Sequence, residues 1–213
     1  SMEEIIKYVI VILFVLLSYT IIERVLFHFS VLKNNDQLWS GVWYYLYGIC
    51  LLVSVLIIRP IDFVFKVPSG KIGFAFFIIG VMMLFLLLNL KEGKRMYYPK
   101  ADDILECFHF SVIQPLFEEV AFRGIILPIL IFFFKGYFRT ELILLMSGLL
   151  FTLFHRNYWL FVKANIKIYF NFFFLGYILA YIAYTTQSIW VSVLYHVLLN
   201  GTITVYKNKK VKA

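Results

Sequence analysis

Long apolar runs alternate with short polar or basic segments along the whole chain. Ile5 to Phe29 is the first run, and since a crossing takes about 20 residues it is long enough for a membrane-spanning helix, with Glu23-Arg24 marking an interface near its end. After the polar connector Leu32 to Ser40, Val42 to Ile58 forms a second span. It carries Trp43, Tyr44, Tyr45 and Tyr47 at one end, as an interfacial aromatic belt does, and Arg59-Pro60 closes it. A loop with Lys66, Pro68, Gly70 and Lys71 leads to a third span, Ile72 to Leu90, and the basic segment Lys91 to Lys100 follows. Ala101-Asp102-Asp103 is an acidic helix start, favoured by the positive end of the helix dipole.

From there to Phe134 the chain is too long for one span, and Pro115 removes a backbone donor midway. The pattern predicts an amphipathic interfacial or half-inserted helix over Asp102 to Gln114 and a fourth span over Pro115 to Phe134. Glu141 to His155 is a short fifth span, and Arg156 to Lys167 is an aromatic and basic loop. Ile168 to Tyr184 is the sixth, with Gly176 and Ala180 one turn apart, a small-residue face that permits close helix approach. Ile189 to Tyr206 is the seventh, before a basic tail from Lys207 to Ala213. The expected fold is all-α: one polytopic transmembrane helical bundle over residues 1–213, with about seven spans plus the interfacial helix and no soluble domain or internal repeat.

Composition supports this class. The 213 residues are 62% hydrophobic, 20% aromatic and only 15% charged, with a mean hydropathy of +0.87, whereas soluble domains are about 45 to 50% apolar and about 25% charged. The net charge of +8 does not indicate nucleic acid, because the basic residues fall between apolar runs instead of forming one face. On a seven-span topology the loops on the N-terminal side carry 6 Lys and Arg and those on the opposite side 12. The positive-inside rule then puts the C-terminus in the cytoplasm, with the bilayer as the surrounding medium. Richness in Ile, Phe, Lys and Asn suggests an AT-rich bacterial genome, and the expected location of an integral membrane protein there is the bacterial plasma membrane. No small-residue cleavage site follows the first run, so it reads as a retained span and not as a signal peptide. Cys50 and Cys107 lack any CxxC or Cys/His spacing and read as packing residues.

Within the apolar stretch from Ile104 to Phe134 lie Glu118, Glu119 and Arg123. A central charge in a span costs roughly 2.5 to 3.5 kcal/mol on insertion scales, so three in six residues imply a functional site facing a bundle interior. Two other spans carry polar groups at helical spacing: Phe151 with His155, and His196 with Asn200, each pair sharing a helix face. Loop order puts all three groups toward the cytoplasmic side. A carboxylate and an imidazole facing each other can hold a water and take its proton, so Glu118 is the candidate general base and His155 its partner. Amide hydrolysis also needs donors for the tetrahedral oxyanion, and His196 and Asn200 are both capable. Glu119 and Arg123 are i and i+4 partners whose ion pair would compensate the second carboxylate; the same pair serves equally well as a structural lock between helices. Phe151 reads as a packing residue that shapes the site.

Taken in order, EExxxR at Glu118, Glu119 and Arg123, FxxxH at Phe151 and His155, and HxxxN at His196 and Asn200 resemble the three signature motifs of the CPBP family. This family comprises CAAX-prenyl proteases and bacteriocin-processing or immunity proteins, also called Abi proteins. The resemblance covers about residues 102–201, a CPBP-like catalytic core. It implies a glutamic-type, metal-independent intramembrane endopeptidase without cofactor, in which Glu118 activates water with His155, His196 and Asn200 form the oxyanion hole, and Glu119 and Arg123 support them. The substrate would be a membrane-associated peptide or protein cut near the cytoplasmic face, with the Arg156 to Lys167 loop as a candidate contact.

The alternative is a non-proteolytic immunity or scaffold protein that binds a membrane-protein partner. Two His and two Glu can also ligate zinc, but HExxH is absent and Asn200 is a poor zinc ligand. Ser147-Gly148 raises a rhomboid-like serine mechanism, but Leu145 occupies the upstream glycine position. His28 and His109 lie outside the motif helices and read as interfacial.

Overall fold

The computed structural model describes residues 1–27, 36–58, 65–89, 104–155 and 166–211. Among these the chain is all helical, with no strand. The elements are α1 (Met2–Phe27), α2 (Asp36–Ile57), α3 (Ile72–Asn89), α4 (104–134), α5 (Thr140–Phe154), α6 (Ile166–Thr186) and α7 (Trp190–Val211). The all-α expectation holds. Several expectations fall outside the described residues: His28, the Arg59-Pro60 stop, the basic segment 91–100, the Asp102-Asp103 helix start and the loop from 156. Helix α2 starts earlier than its hydrophobicity suggests, since Asp36 to Ser40 are already helical.

Helix α4 departs most from the expected arrangement. The sequence suggests a break at Pro115 between an interfacial helix and a span, but the chain continues as one helix through it. Two π-helical segments, His109–Ile113 and Val120–Ile126, interrupt the α-helical geometry. Each is closed by the residue just before a proline: Gln114 N–H donates to His109 O, and Leu127 N–H donates to Phe122 O. A proline ring inside a helix clashes with the carbonyl four residues back. One extra residue in the preceding turn removes the clash, so Pro115 and Pro128 widen the helix where they would otherwise break it. π-turns of this kind are frequent at functional sites. The result is a short α-helical segment, Gln114–Glu119, between two widened turns, and it carries both glutamates.

Helix α4 is the hub of the packing. Ala121, Phe122, Ile125, Ile126 and Ile129 are fully buried against Val11 and Val15 of α1, Tyr47 and Leu51 of α2, Ile143 and Phe151 of α5, and Ala180 of α6. Tyr47, expected in an interfacial belt, is a core residue packed edge-on to Tyr19 at 5.8 Å. A second cluster joins α3, α6 and α7 through Ala75, Ile79, Leu179, Ile182, Val191 and Tyr195. Helices α5 and α6 meet backbone to backbone: a Cβ on Gly176 would lie 3.0 Å from Gly148 Cα, and one on Gly148 would lie 3.0 Å from Phe173 O. The segment before α3 is strapped to the α6–α7 turn by Ser69 N–H donating to Thr186 O at 2.8 Å and by the Ser188 hydroxyl donating to Lys66 O at 2.7 Å. Gly70, at φ 86°, passes so close to Thr185 O that a side chain there would clash.

Among the described residues no helix is long and apolar enough to cross a membrane. The outer faces are nonetheless apolar. On α1, Ile6, Ile10, Leu13, Leu17 and Ile21 form an exposed stripe, and on α3 Phe74, Phe77, Val81, Leu84 and Leu88 form another.

Candidate active site

Helix geometry brings the predicted polar residues to one place. Glu118 lies two residues before the second π segment, and one of its carboxylate oxygens is held by Gln114, one turn back, which donates from Nε2 to Glu118 Oε1 at 2.8 Å. The other oxygen, Oε2, faces two imidazoles, with His155 Nε2 at 3.5 Å and His196 Nε2 at 3.7 Å.

The proton positions on both rings follow from their other contacts. His155 ends α5, and its Nδ1 lies 2.8 Å from Phe151 O. A carbonyl only accepts, so Nδ1 carries a hydrogen, and Nε2 presents a lone pair toward Glu118 whenever the ring is neutral. The ring is fixed in plane by Phe172, stacked at 4.7 Å, and by Phe151 at 4.4 Å between centroids. His196 Nδ1 lies 2.8 Å from Glu119 Oε1, again an acceptor. Of the three side chains, His155 is 13% exposed against 7% for Glu118 and 5% for His196, so access to the cluster is along the end of α5.

Adjacent residues on a helix point about 100° apart, so Glu119 meets different partners from Glu118. Its Oε1 accepts from His196 Nδ1 and from Arg123 Nη1 at 3.2 Å. Arg123 is fully buried and also donates from Nη2 to Gly176 O at 2.8 Å, while its guanidinium lies over the Phe151 ring at 4.6 Å. Burying a charge in this way requires pairing and hydrogen bonding, and the ion pair supplies both. Phe151 therefore underlies Arg123 on one side and His155 on the other.

Asn200 shares the α7 face of His196 and is buried, with Nδ2 donating to Phe110 O at 3.0 Å. The Asn200 amide is thus anchored to the first π segment of α4. Among the described residues no group of three or more His, Cys, Asp or Glu side chains is arranged to hold a metal ion.

Two site features escape a reading of the sequence. Gln114 touches the glutamate yet looks like an ordinary polar residue at the end of the expected interfacial helix; its signal is the i to i+4 spacing to Glu118. Gly176 receives the Arg123 guanidinium with its carbonyl, a backbone role that residue type does not advertise. His109, expected at an interface, is instead 3% exposed inside α4, with Nε2 3.4 Å from the Tyr45 hydroxyl. The continuous helix turns it inward. The loop expected to contact substrate lies outside the described residues.

A family model described as Rce1-like, type II CAAX prenyl endopeptidase Rce1-like, matches residues 100–202. No curated protein and no solved structure matches the chain.

Proposed function

We propose, from the match of residues 100–202 to the Rce1-like family model and from the three motifs that resemble the CPBP family, that the chain is an endopeptidase embedded in a membrane. In this proposal it hydrolyses a peptide bond in a membrane-associated substrate with water activated by Glu118 and His155. The observation that carries this reading is the convergence of His155 Nε2 and His196 Nε2 on Glu118 Oε2, the one oxygen that Gln114 leaves open. Embedding is supported by the apolar stripes of α1 and α3. Contiguous apolar surface on this scale needs a cover, and lipid supplies it along whole helix lengths.

In the proposed reaction a water sits beside the Glu118 Oε2 to His155 Nε2 line, within about 2.8 Å of both atoms. It passes a proton to the carboxylate while its oxygen attacks the scissile carbonyl carbon. The carbonyl electron pair moves onto oxygen, and the oxyanion is met by donors on α7. Asn200 has a second Nδ2 hydrogen beyond the one given to Phe110 O. His196 donates from Nε2 only with both ring nitrogens protonated. Collapse of the intermediate breaks the C–N bond, and the proton held by Glu118 passes to the leaving amine. The products are a carboxylic acid and an amine, which become carboxylate and ammonium by passing the acid's proton to the amine, and the carboxylate of Glu118 is regenerated. The family's printed name makes a prenylated C-terminal CAAX peptide the first substrate class to test.

The experiment compares wild type with Glu118→Gln in lipid vesicles on two fluorogenic substrates, a prenylated CAAX-type peptide and an unprenylated membrane-anchored peptide. Cleavage of one by wild type and none by the variant is expected. Equal cleavage by both proteins sinks the mechanism. A cellular phenotype that survives loss of both Glu118 and His155 favours a scaffold or immunity role for the same fold. Carbonate extraction tests the embedding: the chain is expected to stay with the membrane, its C-terminus accessible from the cytoplasmic side, where the positive-inside count puts it.

A further inference from the structure

Between its two widened turns α4 has a six-residue α-helical segment, Gln114–Glu119. Each π turn carries an extra residue and so shifts the side-chain directions that follow it, and the flanking helix does not by itself fix where this segment points. Successive side chains on the segment diverge by about 100°. Glu119 turns toward α7, where its Oε1 lies 2.8 Å from His196 Nδ1. Glu118 turns toward the Nε2 atoms of His155 and His196. Phe117 turns to α2, and its ring lies on Gly48: a Cβ there would be 2.6 Å from Phe117 Cζ and 3.0 and 3.2 Å from its two Cε atoms. Real Cβ atoms do not make contacts as short as the first, so the ring meets the α2 backbone at a distance that glycine permits and alanine does not.

We infer that Phe117 is a positioning residue, which by seating its ring on Gly48 of α2 sets the rotation of the Gln114–Glu119 segment and so aims the Glu118 carboxylate at His155 and His196. This rests on the proteolytic reading above and deepens it. Glu118 stands between two holds, in sequence and in direction. The polar contact of Glu119 draws the segment to α7, and the ring of Phe117 stops its turning on the α2 side. Gly48 is otherwise a poor choice inside a helix, where glycine is less favourable than alanine. Tyr47 and Leu51 beside it are buried in the core that Phe117 packs against, so α2 offers the ring a firm seat. Gln114 holds Glu118 from within the same segment, so a rotation carries both residues together and Gln114 cannot correct it. Aim matters because a misplacement of about 1 Å can cost up to about 10²-fold in rate.

The test uses Gly48→Ala, Phe117→Leu, the two combined, and Gly80→Ala as control, all as full-length protein in vesicles. It reads kcat per folded protein, KM, the melting temperature and the NMR signals of the His155 and His196 ring nitrogens, with Glu118→Gln as the spectral reference. The methyl of Gly48→Ala displaces the ring, and leucine is short enough to make room for it. Gly48→Ala is expected to lose about tenfold in kcat with KM changed less than about twofold, and its nitrogen signals are expected to move as they do in Glu118→Gln. Phe117→Leu is expected to lose about threefold, and the combination to be no slower than Gly48→Ala alone. Gly80→Ala, where a Cβ meets nothing within 4 Å, is expected to match wild type; a loss there equal to that of Gly48→Ala overturns the inference. Wild-type kcat in Gly48→Ala overturns it too. So do losses that multiply in the combination, because the methyl would then act elsewhere than on Phe117. A lower melting temperature with kcat and nitrogen signals unchanged shows packing without positioning and also overturns it. If Gly48→Ala does not fold, Phe117→Leu decides: wild-type kcat with unmoved nitrogen signals overturns the inference, and a loss with moved signals supports it. If wild type cleaves neither substrate, the proteolytic reading fails, and the nitrogen signals decide by themselves: signals moved in Gly48→Ala and restored in the combination support the inference, and unmoved signals overturn it.

Discussion

His196 lies 2.8 Å from Glu119 through Nδ1, while its Nε2 lies 3.7 Å from Glu118 Oε2. One imidazole on α7 thereby joins two neighbouring carboxylates that the helix sends in different directions. The arrangement divides the labour of the pair: Glu118 keeps an oxygen open, while Glu119 is committed to Arg123 and His196.

Glu119→Ala is therefore expected to act on stability as well as on rate. It leaves the fully buried Arg123 without its carboxylate, and breaking one side of a buried ion pair costs about 3 to 5 kcal/mol. Thermal unfolding in detergent should show a large drop for Glu119→Ala and a small one for Glu118→Gln. Similar drops for the two variants would contradict the division.

Gln114→Leu is expected to fold but to work slowly. It removes the one hydrogen bond shown to Glu118 Oε1, and a hydrogen bond to a charged group contributes about 1.5 to 3 kcal/mol, or roughly ten- to hundredfold in rate if fully expressed in catalysis. The check is kcat beside the melting temperature. A rate equal to wild type would show that Gln114 does not position the base.

Gly176→Ala is expected to destabilise by about 1 to 3 kcal/mol, the usual range for overpacking. The added methyl meets Gly148 Cα and Phe151 Cβ at 3.0 Å and pushes α6 from α5, drawing Gly176 O away from Arg123. Gly80→Ala, where a Cβ meets nothing within 4 Å, is the control and should not destabilise. Equal melting temperatures for the two variants would refute the close-packing role.

Cleavage is expected to persist after dialysis against 1,10-phenanthroline, since the proposed nucleophile is made by a carboxylate and an imidazole. A loss of activity that zinc restores would reassign Glu118, His155 and His196 as ligands of an ion.

Much of the site is legible along the chain because helices have a fixed period. Spacing of four put Glu119 with Arg123, and His196 with Asn200, on shared faces, and charges in apolar runs drew attention to Glu118. Which carboxylate meets which histidine is not a property of spacing. It depends on the rotation of α4 against α5 and α7, seen in Phe122 packed edge-on to Phe151 at 5.2 Å and in Asn200 bonded to Phe110 O. Pro115 shows the boundary between the two kinds of information. Its missing hydrogen and its clash are written in the residue, and they suggest a broken helix. Continuity through the proline goes with tertiary packing that buries α4 on both sides of it, Pro115 included. The sequence by itself thus determined helix periods, apolar faces and the identity of the candidate groups. The tertiary structure alone decided their distances, the one-sided hold of Gln114 on Glu118 and the partner of Asn200, because these contacts join residues whose separation along the chain carries no fixed geometry.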